Sequence, residues 1–258
     1  TSISSDFFES GLIKAKTEGI IQSLPLFWTS LFLDPSNIQT RLMLSSIFSG
    51  INQKHHALDL LEGDFTNSAA WAIVNFEKSF LYEELKLFET AKKTLIDTSQ
   101  SASFKKMSLL LYANLNRRQK NLEEAMLLYD ELLSLQKPPL DVYYYRALTI
   151  VLMEDWEKAI VALDLLLEKM PDSPEVQNFV GYTFIDLNIR LNEGIELIKK
   201  AVNSDKKNGF FLDSLGWAHF KLNKIDKAIP LLERSVELEP QEAEITDHLG
   251  DAYWKNGR

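Results

Sequence analysis

Cysteine is absent from all 258 residues. That removes disulfides, thiolate zinc sites, iron–sulfur clusters and cysteine nucleophiles together. Positive charge is also scarce: 28 Lys and Arg face 37 Asp and Glu, a formal net charge of −9. The chain as a whole is therefore repelled by nucleic acid and by anionic lipid, and neither is expected as a partner. No apolar run approaches the roughly 18 residues that span a bilayer. Ten glycines and eight prolines are too few for a long flexible linker. Signatures of chemistry are missing too, with no G-x-S-x-G, no phosphate-binding glycine loop and no H-E-x-x-H. His55 and His56 are adjacent, so on a helix they point about 100° apart, a poor geometry for one metal. His219 and His248 read as packing residues, and Glu83-Glu84 and Glu123-Glu124 as solvated helix surface. No enzyme, metal or cofactor is expected.

What the chain does have is repetition. Leu212-x-x-Leu215-Gly216-x-x-His219 returns as Thr246-x-x-Leu249-Gly250-x-x-Tyr253, 34 residues on. Counting back from Ala228, a small residue recurs at Gly194, Ala159, Ala125, Ala91, Ala57 and Ser23, in steps of 34, 35, 34, 34, 34 and 34. Four places after each stands a large apolar residue: Phe27, Leu61, Leu95, Tyr129, Leu163, Ile198 or Leu232. Proline follows three of the small residues, at Pro35, Pro171 and Pro240. Apolar spacing such as Ile225, Ile229, Leu232 and Val236 is helical. Each unit therefore reads as two amphipathic helices, A then B. A small residue lets the helices approach at their crossing, and proline fixes the turn into the next unit. The expected units are 4–37, 38–71, 72–105, 106–139, 140–173, 174–208 and 209–242, with a partial eighth at 243–258, all within one domain of 1–258. The second unit is the weakest, because Gly63 is expected to interrupt its B helix. The third departs by placing Ser79 where helix A usually has Gly or Ala.

This pattern resembles the tetratricopeptide repeat over essentially the whole chain. The resemblance implies an all-α, right-handed superhelical solenoid of about seven helix-turn-helix units plus one terminal helix. It also implies that A helices line a concave face able to hold a protein or peptide. On that face the candidate partner-binding residues are Phe76, Phe80, Asn114, Arg117, Arg118, Tyr144, Tyr182, Asp213, Trp217, Phe220 and Trp254. Phe8, Asn178 and Phe210 fall on the same stripe. Clustered aromatics and arginines favour a binding surface; the alternative is that these rings pack on one another. The inner face of the last three units is mostly acidic, which suits a ligand with a basic end. The family's carboxylate clamp is matched only by Asn114 with Arg117 and Arg118, since the adjoining helix offers Tyr144, Leu148 and Val151.

A narrower likeness lies in Asn178-Phe179-Val180-Gly181-Tyr182, Leu191-Asn192-Glu193-Gly194, Asp213-Ser214-Leu215-Gly216-Trp217 and Asp247–Trp254. It is similar to proteobacterial envelope lipoproteins with these repeats, one branch of which is an adaptor for a processing protease. Such a lipoprotein needs a lipidated N-terminal cysteine. The likeness therefore implies a truncated form or a different branch, in the periplasm or envelope, with the cytoplasm as the alternative. The array is expected to continue past Gly257-Arg258, where the next B helix would begin. The expected function is a non-enzymatic scaffold or adaptor for a protein partner, such as an envelope protease or assembly component. The competing expectation is a homo-oligomer that docks through its last helix.

Overall fold

The computed structural model describes residues 3–63 and 70–257. Among them every regular element is an α-helix. The helices are α1 (Ile3–Thr17), α2 (Ile20–Leu33), α3 (Ile38–Gly50), α4 (Lys54–Leu60), α5 (Trp71–Glu84), α6 (Phe88–Ser99), α7 (Lys105–Arg118) and α8 (Leu122–Ser134). They continue as α9 (Asp141–Leu152), α10 (Trp156–Lys169), α11 (Pro174–Asp186), α12 (Leu191–Ser204), α13 (Gly209–Lys221), α14 (Ile225–Leu238) and α15 (Ala243–Lys255). The fold is an all-α repeat solenoid of helical hairpins. The chain forms two compact units, Thr1–Pro139 and Leu140–Arg258. No helix of the described residues is long and apolar enough to cross a membrane.

The repeating small residues sit where the helices of each hairpin meet. Ser23, Ala57, Ala91, Ala125, Ala159 and Ala228 are fully buried, and so are Phe27, Leu61, Tyr129, Leu163, Ile198 and Leu232. Each large side chain removed from water contributes about 1.5–3 kcal/mol. In the first unit Phe8, Phe27, Leu44 and Leu60 form one core cluster. Phe8 was expected on the inner stripe. It turns into the core instead, its ring 5.8 Å from that of Phe27, where α1 comes so close that a Cβ at Gly11 would lie 2.6 Å from the same ring. In the second unit Ile185, Ile195, Ile198 and Ala218 form a cluster, and Ala228, Ile229, Leu232 and Ala252 another.

Polar residues set the helix ends. Asn37, Ser173 and Asn208 cap α3, α11 and α13 by accepting from the backbone N–H three residues on, which satisfies a donor the helix leaves open. α4 ends at Leu60, earlier than the interruption expected at Gly63, and Arg41 closes that end by donating to the Leu60 and Glu62 carbonyls, each at 2.9 Å. The link to the third hairpin includes 64–69, outside the described residues.

The A-to-B turns repeat as strictly as the core. Asn52, Lys86, Lys120, Glu154, Asn188 and Asn223 all have positive φ, between 56° and 63°. At five of these turns the next residue's N–H reaches back to a carbonyl five residues earlier, as in Asn121 to Asn116 at 2.9 Å and Lys224 to His219 at 2.9 Å. This is the left-handed helix stop usually given to glycine or asparagine. A lysine or glutamate there costs about 1–2 kcal/mol, which a glycine would relieve less its own flexibility of about 0.5–1 kcal/mol. Glu154→Gly is thus expected to stabilise the protein by about 0.5–1 kcal/mol, read as a higher urea midpoint. A lower midpoint would show that Glu154 is held by contacts stronger than its backbone strain.

Candidate partner-binding surface

In the first unit the candidate residues divide between core and surface. Asn114 is buried, and its Oδ1 accepts a 2.7 Å hydrogen bond from the Tyr129 hydroxyl. Arg118 grips Glu83 with two bonds of 2.7 Å, so its guanidinium ties α7 to α5. Arg117 precedes it in the last turn of α7. Phe76 packs against the cluster of Ala91, Leu95, Tyr112 and Leu115, edge-on to Phe104 at 6.5 Å. Phe80 is 39% exposed beside Glu83 and Arg118.

The second unit brings more of the candidates together. Tyr144 of α9, Tyr182 of α11 and Asp213 of α13 border one cavity of about 530 Å³. Asn178, Phe179, Phe210, Phe211 and Ile245 line it as well, with Glu175, Glu242 and Glu244. Phe210 is 48% exposed. Phe179 stands 5.2 Å from Tyr144, tilted against its ring. Glu244 accepts from the Tyr182 hydroxyl at 3.2 Å. Burial, and then the charges of Glu244, Asp186 and Asp213, push the Tyr182 phenol well above its ordinary range. The cavity is thus lined by aromatic rings and carboxylates, and among the described residues neither lysine nor arginine lines it. The side-chain Oδ1 of Asn178 is buried with no hydrogen-bond partner among the described residues.

Next to the cavity the aromatic residues stack on one another. Both carboxylate oxygens of Asp213 lie 3.0 Å from Nδ1 of His248 on α15. The two residues are 6% and 7% exposed. Burial raises the Asp213 carboxyl above the usual carboxylate range, and the bond and charge of His248 oppose that rise. Trp217 lies flat on His248 at 4.0 Å and on Phe220 at 4.8 Å. The ammonium groups of Lys221 and Lys255 sit over Trp217 and Phe220, at 5.4 and 4.8 Å. The Trp217 indole N–H is buried without a partner among the described residues. Burial, reinforced by Lys224, Lys227 and Lys199, holds His219 below the usual imidazole range. Trp254 stands apart and is 85% exposed.

Sequence reasoning missed Glu175, Phe179, Phe211, Glu242 and Glu244. The three glutamates come at or beside helix N-termini, where acids are common because they complement the helix dipole. Nothing in the spacing separates these from the rest. Among the described residues no group of three or more His, Asp or Glu is placed to hold a metal ion.

Known proteins agree with this architecture. Residues 214–258 match the family model described as tetratricopeptide repeat. A TPR repeat-containing protein of Pseudomonas aeruginosa is 29% identical over 112 residues, 43% of this chain and 19% of that protein. The matched stretch thus spans about a fifth of that relative's length. A tetratricopeptide repeat protein from Parabacteroides merdae superposes with a TM-score of 0.71 at 12% identity, over 96% of this chain and 98% of that one. A chain of the APC/C hetero-tetramer Cut9-Hcn1 gives 0.65 at 16% identity, over 92% of this chain and 46% of the other. Recurring hairpins and small-residue crossings thus give the chain the fold of tetratricopeptide-repeat proteins, and its residues 214–258 match that repeat.

Proposed function

We propose that the second unit holds a segment of a protein partner in the cavity between Tyr144, Tyr182 and Phe210. Tetratricopeptide-repeat folds mediate protein–protein interaction and are typically non-enzymatic. The observation that carries the reading is the half-exposed Phe210 beside a concave aromatic wall. A large ring left in water next to such a wall is an anchor for another surface. The likeness of residues 174–258 to envelope repeat proteins favours a partner from the bacterial envelope.

Photo-crosslinking tests this in the native host. A benzoyl-phenylalanine at position 210 should trap a discrete protein adduct, whereas one in place of Phe32, 84% exposed on α2, should not. Equal adducts from both positions would overturn the assignment.

The second reading, self-association through α15, rests on Trp254 and on the open face at Gly250, where a side-chain methyl would have no atom within 4 Å. Light scattering decides it: a mass independent of concentration removes it.

A further inference from the structure

We infer that the cavity of the second unit receives an arginine side chain from an extended basic segment of the partner; this rests on the partner-binding reading above. Three features of the wall point the same way. First, Glu175, Glu242 and Glu244 bring formal negative charge to the cavity, and among the described residues no lysine or arginine lines it. Asp213 adds little to this, because His248 already engages both of its oxygens. Second, the aromatic rings of Tyr144, Tyr182 and Phe210 line the cavity beside those carboxylates. A guanidinium is planar and weakly hydrated, stacks on rings and forks onto carboxylates, so it satisfies both surfaces at once. Third, the buried Asn178 Oδ1 accepts no hydrogen bond among the described residues. Guanidinium carries five N–H donors and no acceptor, which is the complement such an oxygen requires.

An acidic or purely aliphatic segment meets the wall badly. Carboxylates would face carboxylates, and an aliphatic chain would bring no charge to balance the glutamates and no donor for Asn178 as water is excluded. An ammonium group matches the charge but cannot present a flat face to the rings.

A random dodecapeptide library displayed on phage and selected on the full 258-residue chain tests the inference. Arginine next to an apolar residue should be enriched. The leading peptide should bind at least about tenfold more weakly to E175Q/E242Q, a loss of about 1.4 kcal/mol, while circular dichroism stays unchanged. Its affinity for the parent should fall as salt is added. Peptides without arginine that still weaken on Phe210→Ala would overturn the arginine assignment and leave the groove standing. Peptides indifferent to both variants, or no enriched sequence at all, would overturn both readings.

Discussion

His248→Ala is expected to cost about 3–5 kcal/mol of stability at neutral pH. The imidazole is the partner the structure gives to a carboxylate that is 6% exposed, with both oxygens at 3.0 Å from Nδ1. Without it Asp213 is a buried charge with nothing to offset it, and Trp217 loses the ring it lies on at 4.0 Å. The loss should depend on pH with a definite sign. Burial already raises the folded carboxyl above its ordinary value, and removing His248 removes the opposing influence. A carboxyl raised in the folded state favours folding below its unfolded value, and that benefit is lost as pH rises through the folded value. The variant should therefore recover part of its deficit on acidification towards about pH 4, as Asp213 takes up a proton. Asp213→Asn should lose less than His248→Ala, since an amide oxygen can still accept from the imidazole. Urea midpoints at neutral and acidic pH measure this. A deficit below about 1 kcal/mol at neutral pH would place the pair among ordinary surface contacts.

Gly181→Ala is expected to cost about 3 kcal/mol, the upper end for an overpacked core. A Cβ at Gly181 would lie 2.6 Å from the Gly194 carbonyl oxygen and 2.8 Å from Ile198 Cγ1. The reverse holds as well, for a Cβ at Gly194 would come within 2.9 Å of the Gly181 carbonyl oxygen. The obstruction is backbone, so no side chain can rotate aside; α11 and α12 must separate. Gly250 holds the equivalent place on α15 but has open space around it. There the same substitution should gain about 0.5–1 kcal/mol through helix propensity alone. Equal effects at the two positions would mean that glycine at Gly181 serves propensity rather than approach.

The hairpin order and its crossings were legible because packing repeats its demands. A buried residue at a close crossing must be small, and the groove beside it must be filled, whatever else a unit has lost. The turns were harder to read. Lys86, Lys120 and Glu154 adopt a left-handed conformation for which their side chains give no signal, since the hairpin geometry imposes it over local preference. Pro25 and Pro230 lie inside α2 and α14 without ending either helix. Each proline removes a helix hydrogen bond, but the B-helix stripe, with Phe27 and Leu232 fully enclosed, runs through it, as the apolar spacing on either side implied.

At the candidate site the aromatic residues were legible and the polar ones less so. Tyr144, Tyr182 and Phe210 fall on the A-helix stripe by spacing and border one cavity. Asp213 fell on the same stripe, yet its carboxylate faces a histidine 35 residues away. That pairing joins A helices of successive repeats, and a pattern read within one repeat does not reveal it. Asn114 was hidden for another reason: its partner Tyr129 stands on the B helix of the same hairpin, and the A-helix stripe alone does not reveal it.

The left-handed joint between paired helices recurs at Lys86, Lys120 and Glu154, with φ of 61°, 63° and 57°. A single edit worked out at one of these joints can therefore be copied to the others. Changes at such well-separated places combine almost independently, so three glycines together should raise stability by about 2 kcal/mol. The protein carries its own template for a heat-resistant version, one that leaves the cavity walls and the buried rings untouched.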